Sequence, residues 1–304
     1  MPPPRILPAS SAETTALLPD RFRQWFAGRG WLPREHQLAL LAKASDDRSA
    51  LLIAPTGAGK TLAGFLPTLV ELSAPLPVRS SPSPLAVEGR GGGSRIGGVT
   101  STGRGVQRSR GLHTLYISPL KALAVDIARN LETPIAEMAL PIKVETRTGD
   151  TPVSRRQRQR RYPPDILLTT PEQLALLLSS DDAPFLFASL ERIVLDELHA
   201  LVTSKRGDLL SLGLARLWRL APELRAIGLS ATVAEPESLA RFLVPQACGR
   251  SEAADIVVAG GAAAPVVEML DTRERLPWAG HTARHALGEI YDLIRRHNTT
   301  LVFV

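Results

Sequence analysis

Residues 50–61 read ALLIAPTGAGKT: an apolar run, a short loop with two glycines, then a lysine and a threonine. The run suits a strand covered on both faces, and apolar spacing from Thr61 to Leu72 suits a helix. A strand turning through glycines into a helix start aims backbone N–H groups into one concavity, which favours a polyphosphate. Pro55, Thr56, Gly57, Ala58 and Gly59 supply that turn. Lys60 is placed to reach the β- and γ-phosphates of a nucleotide, and Thr61 to ligate Mg²⁺. The pattern ordinarily opens with glycine, whereas position 54 is Ala54. Lysine is scarce among the 36 basic residues, and at position 60 a compact ammonium serves better than a guanidinium fork. A chance glycine-rich turn competes with this reading; the strand–loop–helix context argues against it.

The rest of the chain repeats the alternation. Strand candidates fall at Ala50–Ala54, Thr114–Ser118, Asp165–Thr169, Arg192–Asp196 and Arg225–Ser230, with helical patterns at Thr61–Leu72, Lys121–Leu131, Pro171–Leu178, Gly207–Leu220 and Pro236–Leu243. Strand–helix alternation with nearly continuous apolar strands predicts an α/β fold, a parallel sheet sandwiched by helices. With 304 residues, 44% of them hydrophobic, there is material for one large domain or two modest ones. Further on come Val266–Leu270, a helix at Thr282–Arg296 and a last apolar run, Thr300–Val304, which reads as a buried strand opening a second domain.

Composition excludes several classes. The one cysteine, Cys248, rules out a disulfide scaffold and any multi-cysteine zinc site. His281 and His285 sit four apart without a third ligand and read as polar residues on a helix face. No apolar stretch reaches the roughly 18 residues of a membrane span, and nothing at the N-terminus resembles a secretory signal. The expectation is a soluble, intracellular protein without membrane contact.

The net charge of +6 is unevenly placed. Residues 73–113, rich in Gly, Ser, Pro and Arg, hold six arginines and one acid, Glu88, so +5 resides there. The segment lacks helix or strand period and the apolar surface to offset ordering entropy. It reads as a disordered insertion; a domain linker is the competing reading. A second basic cluster comprises Arg155, Arg156, Arg158, Arg160 and Arg161. It reads equally as a solvated helix face or as a nucleic-acid contact.

Two further segments carry chemistry. In Ile193-Val194-Leu195-Asp196-Glu197-Leu198-His199 an apolar strand ends in two acids at the sheet edge where ligands bind. Asp196 would hold Mg²⁺, and Glu197 would orient and deprotonate an attacking water, a pairing suited to in-line hydrolysis. Ser230-Ala231-Thr232 follows another strand; its hydroxyls are placed to hydrogen-bond the acidic cluster and relay its state. Alone, each is an ordinary turn.

In this order APTGAGKT, DELH and SAT resemble motifs I, II and III of superfamily 2 helicases, DExH branch, where Ala54 is a common variant. Arg34-Glu35-His36-Gln37 resembles the Q motif, Ile117–Leu123 motif Ia, and Thr169-Thr170-Pro171-Glu172 motif Ib. LYISPLKALAVDIARNL, RTGDT, LLTTPEQL, DELHAL, SKRGDLL and PWAGHTARHAL together resemble Lhr-type helicases of the ligase-associated branch, over about residues 20–304 apart from the insertion.

The resemblance implies a RecA-like P-loop domain over residues 31–262, a helical lead-in over 1–30, and a linker with the first strand of a second RecA-like domain over 263–304. It implies Lys60, Asp196, Glu197 and His199 as the catalytic set, with Gln37 reading adenine. Ser230 and Thr232 couple. Ser118, Lys121, Thr148, Gly149, Thr170 and Glu172 contact nucleic-acid phosphates on a face opposite the ATP cleft. ATP and Mg²⁺ are the implied cofactors. Single-stranded or partially duplex DNA is the implied partner, with 3′ to 5′ movement during repair, beside an ATP-dependent DNA ligase, in the cytoplasm and on the nucleoid. Trp25 and Trp31 read as packing residues.

The family's motifs IV to VI, with their arginine fingers, do not occur in the 304 residues. Other readings stay open: an RNA helicase, a P-loop phosphotransferase, which the Asp-Glu pair disfavours, and an ATP- and nucleic-acid-binding module without turnover.

Overall fold

The computed structural model describes residues 17–74, 111–231, 233–246, 251–260, 266–270 and 283–303. They divide into two compact units, residues 1–260 and 261–304. In the first, α1 (Asp20–Gly28) and α2 (Glu35–Ser45) precede β1 (Ala50–Ile53) and α3 (Lys60–Ser73). Then come β2 (Thr114–Ile117), α4 (Lys121–Glu137), β3 (Val144–Arg147), α5 (Val153–Arg161), β4 (Ile166–Thr169), α6 (Pro171–Leu178) and α7 (Ala183–Phe187). Strand β5 (Arg192–Leu195), α8 (Leu198–Val202), α9 (Lys205–Leu220), β6 (Arg225–Ser230), α10 (Pro236–Phe242) and β7 (Asp255–Val258) complete it.

The strands form one seven-stranded sheet in the order β3-β4-β2-β5-β6-β1-β7, and every pair is parallel. Alternate residues of each strand feed opposite cores, because side chains alternate across a pleated strand. In β1, Leu52 packs with Phe65 and Leu69 on one side, while Leu51 and Ile53 pack with Leu198, Leu239 and Leu243 on the other. Helices α1 to α4 cover the first face and α6 to α10 the second. Parallel strands joined by helical crossovers all end at one edge, so the loops after β1, β2, β4, β5 and β6 gather there. The expected α/β parallel sheet sandwiched by helices is present.

Two strands lack a clear sequence signal. In β3, VETR, burial alternates and two charged side chains are buried, Glu145 and Arg147. Edge strand β7 is short and only half-buried.

The borders of the insertion also differ from expectation. Ser73 is the last residue of α3, and the described residues continue from Gly111. Leu112 is fully buried, and a side chain on Gly111, at φ +82°, would strike Ser189. Buried Arg192 donates from Nε to Glu71 of α3 at 3.1 Å. His113 Nε2 stands 3.6 Å from Glu71 and 3.4 Å from Glu191, so both ends of the insertion are anchored to β5. Disorder is expected over residues 73–113; Ser73, Ala74 and residues 111–113 are placed, and residues 75–110 lie outside the described residues.

In the second unit a 3-10 turn (Ala283–Ala286) leads into α11 (Leu287–Arg296), while Val266–Leu270 and residues 301–303 are irregular and largely exposed. The strand expected over Thr300–Val304 is not formed among the described residues. An apolar run becomes a strand only where another strand accepts its backbone bonds. No helix of the described residues is long and apolar enough to cross a membrane.

Candidate nucleotide and nucleic-acid site

Between β1 and α3 the chain passes through the left-handed region at Gly57 (φ +81°) and Gly59 (φ +76°), conformations that cost a side chain energy. Lys60, the first helical residue, folds back so that Nζ donates to Ala54 O at 3.1 Å. The start of α2 braces this loop from outside. His36 donates from Nε2 to Ala58 O at 2.9 Å, and Arg34 Nη1 donates to Gly57 O at 3.3 Å. Burial holds His36 below the ordinary histidine range, so its ring is neutral. Gln37 Oε1 accepts from Arg34 N at 2.9 Å, and Gln37 Nε2 lies 3.3 Å from where a Cβ on Gly59 would stand.

Asp196 extends the β2–β5 ladder by donating from N to Ile117 O at 2.9 Å. Its buried carboxylate accepts from Tyr116 Oη at 2.5 Å and from Glu197 N at 2.9 Å. Desolvation raises its pKa above the usual carboxylate range, although both hydrogen bonds and the Lys60 ammonium pull the other way. Burial and the Asp196 charge push Tyr116 far up, which keeps it a donor. Its ring stacks on Phe65 of α3 at 5.3 Å, tying the acidic strand to the helix behind the glycine loop. Glu197 is held at φ +46°, ψ +44°, left-handed without being glycine. Such backbone costs of order 1–3 kcal/mol and concentrates at functional sites.

Strand β6 lies between β1 and β5, so its end touches both loops. Ala54 N donates to Ser230 O at 3.0 Å on one side. On the other, His199 Nδ1 lies 3.2 Å from Ser230 Oγ and 3.4 Å from Ala231 N. A backbone N–H only donates, so Nδ1 carries the lone pair and the ring hydrogen sits on Nε2. Glu197 Oε2 is 3.6 Å from the same nitrogen. The seryl hydroxyl therefore meets His199 rather than the carboxylates expected from sequence. Asp196 turns instead to Tyr116 Oη of β2. Thr232 lies outside the described residues.

The remaining candidates occupy the β3-β4-β2 half of the same edge, beside the nucleotide loops rather than opposite them. Ser118 Oγ accepts from Leu120 N at 3.3 Å, and Lys121 Nζ meets the Asp150 carboxylate at 3.2 Å. Thr148 N donates to Thr151 Oγ1 at 2.9 Å, and Arg156 Nη2 donates to Gly149 O at 2.5 Å. Thr170 begins α6, on which Glu172 receives Arg206 Nε at 2.5 Å and Nη2 at 3.1 Å. Arg206 also donates to Pro119 O at 2.6 Å. Burial opposes ionisation of Glu172, but Arg206 outweighs it and holds the carboxyl below its ordinary range. Glu172 thus orders a guanidinium; the cation at this point of the edge is Arg206.

Four residues of this edge carry no single-residue signal in the sequence. Tyr116 is a polar tip in an apolar strand, Arg34 and His36 precede the expected Gln37, and Arg206 sits within SKRGDLL. Trp25 and Trp31 pack edge to face at 5.8 Å with Arg29 over both rings, and Trp25 Nε1 donates to Glu137 at 2.7 Å. They pin α1 to α4.

Residues 34–239 match the DEAD/DEAH box helicase family, and the chain belongs to it. Within it the chain is 36% identical, over 92% of its length and 17% of the relative's, to the Lhr helicase/probable uracil glycosylase of Mycolicibacterium smegmatis. It is 33% identical to the ATP-dependent helicase Lhr-Core of Methanothermobacter thermautotrophicus, over 97% of this chain and 32% of that one. The structure of Mycobacterium smegmatis helicase Lhr bound to ssDNA and AMP-PNP superposes with a TM-score of 0.67 at 33% identity. That match covers 94% of this chain and 34% of that one. The DNA-bound helicase MrfA gives 0.57 at 25% identity, covering 80% of this chain and 29% of that one. The chain therefore spans about a third or less of these relatives, and the RecA-like helicase fold is shared with them.

Proposed function

We propose that residues 31–262 are the ATP-binding lobe of an Lhr-type helicase, acting on single-stranded DNA in repair. The observation that carries this reading is the contact of one strand end, Ser230-Ala231, with both the glycine loop and the acid loop, on an edge whose other half carries Ser118, Lys121, Thr148 and Thr170. In this reading Lys60 and the loop N–H groups from Thr56 to Thr61 hold the ATP phosphates, and Gln37 and Arg34 hold the base side. The donor set fits Mg²⁺: Thr61 and Asp196 offer a hydroxyl and a carboxylate. No cluster of three or more His, Cys, Asp or Glu among the described residues forms a dedicated metal cage. Magnesium takes most of its ligands from phosphates and water. When bound it would neutralise charge on the β- and γ-phosphates.

Glu197, held forward by its left-handed backbone, takes a proton from the water that attacks the γ-phosphorus; ADP leaves in line. His199 and Ser230 transmit the state of that site along β6. Ser118, Lys121, Thr148, Gly149 and Thr170 contact strand phosphates without reading bases, with Arg206 ordered by Glu172. The ligase and repair partners rest on the resemblance alone.

The test is calorimetric titration of the chain with a non-hydrolysable ATP analogue, with and without Mg²⁺, and of labelled single-stranded DNA. Mg²⁺-dependent nucleotide binding and salt-sensitive, sequence-tolerant DNA binding are expected. A folded chain that binds neither would overturn the reading.

A further inference from the structure

Helix α5 sorts four of its five arginines into two sets. Arg155 and Arg158 turn to Glu145, at 3.5 and 2.8 Å, where Gln159 and Lys143 complete the partners of that buried carboxylate. Arg156 and Arg160, four residues apart, stand instead with Arg147 at the end of edge strand β3. Among the described residues the second set has little counter-charge: one carboxylate forms an ion pair with it, Asp182 at 3.6 Å from Arg160. Arg156 spends Nη2 on the carbonyls of Thr148 and Gly149, and its Nε is buried without a partner. Arg147 is only 4% exposed, and its Nε is also buried without a partner.

Burial, then repulsion from Arg160 and Arg156, hold the Arg147 pKa down to about 10, so it remains a cation at neutral pH. A buried cation without an anion is expensive, and like charges at i and i+4 add to the cost. A bound anion offsets that cost. The Glu145 network shows what a satisfied cluster on the same helix looks like. The unsatisfied one faces the half of the edge that carries Thr148 and Gly149.

We propose that Arg147, Arg156 and Arg160 form a phosphodiester-binding site that extends the nucleic-acid track onto edge strand β3. This rests on the strand-binding reading above. The ligand is one backbone phosphate, held by guanidinium groups that match its oxygens and do not read the base.

The experiment is fluorescence anisotropy of a labelled oligothymidylate over a salt series. It compares the wild-type chain with Arg160→Gln, Arg147→Lys and, as a control, Arg219→Gln. Arg219 is exposed in the last turn of α9, at the opposite edge of the sheet. Arg160→Gln should weaken binding roughly tenfold and make the log–log salt slope shallower by about 0.7. Arg147→Lys should weaken binding while keeping the slope, since charge persists and the fork is lost. Arg219→Gln should match wild type. If wild type does not bind, the strand-binding reading fails and this site with it. If wild type binds and Arg160→Gln matches it, or Arg219→Gln weakens binding equally, the site alone is overturned. Arg160 is an exposed side chain, so its variant decides the matter even where Arg147→Lys fails to fold.

Discussion

His199 Nδ1 lies 3.2 Å from the hydroxyl of Ser230, joining the loop after β5 to the end of the strand between it and β1. Ser230 O in turn receives the N–H of Ala54 at the mouth of the glycine loop. Ser230 thus contacts both loops, one through its hydroxyl and the other through its carbonyl. If this path couples nucleotide to strand, His199→Ala leaves AMP-PNP affinity alone but reduces its enhancement by single-stranded DNA about tenfold, within the usual range of coupling energies. Ser230→Ala should do the same, and the double variant no more. Additive losses in the binding cycle would place the coupling elsewhere.

Asp196→Asn should raise the melting temperature while abolishing Mg²⁺-dependent nucleotide binding. The carboxylate is buried and its folded pKa is raised above the unfolded value. The native state therefore binds more protons than the unfolded state, and stability falls as pH rises from the unfolded pKa through the folded one. An asparagine keeps both contacts, accepting from Glu197 N and donating to Tyr116 Oη, without the desolvated charge. The gain, on the order of 1 kcal/mol or a few degrees, should be full at neutral pH and vanish in acid. Melting curves across pH check this; a variant less stable than wild type at neutral pH would refute it.

Lys60→Ala should lose detectable ATP binding and keep its fold. Among the described residues the ammonium hydrogen-bonds to Ala54 O on a half-buried loop, so its removal exposes no core. Near-normal affinity for the nucleotide in a cooperatively melting variant would mean the loop does not hold phosphates.

Removing residues 78–108 should shift the melting temperature by no more than a few degrees, because shortening a loop alters closure entropy by only about a kcal/mol. Leu112→Ala, two residues after Arg110 yet fully buried, should cost about 2–5 kcal/mol. Thermal melts of the two variants separate the insertion from its anchored stem. Equal destabilisation would show that the segment is part of the packed domain.

What the amino-acid sequence determined was everything local enough to be written in a short window. The glycine loop is legible because φ above zero favours glycine and because a strand and a helix flank it. The acid strand is legible because VLDE places carboxylates at a strand end whatever the neighbours are. The parallel sheet follows from strands too apolar to face water on either side. Strand order was not legible, since pairing depends on which crossovers close over a shared core, and no period in the chain encodes that. Only the tertiary structure put β6 between β1 and β5, so only it made His199 the partner of Ser230 and Tyr116 the donor to Asp196. The same is true of charge. The arginines of α5 look alike in sequence, but packing against β3 gives Arg155 and Arg158 a carboxylate and leaves Arg147, Arg156 and Arg160 nearly without one, because a helix has two sides and Glu145 lies on one of them.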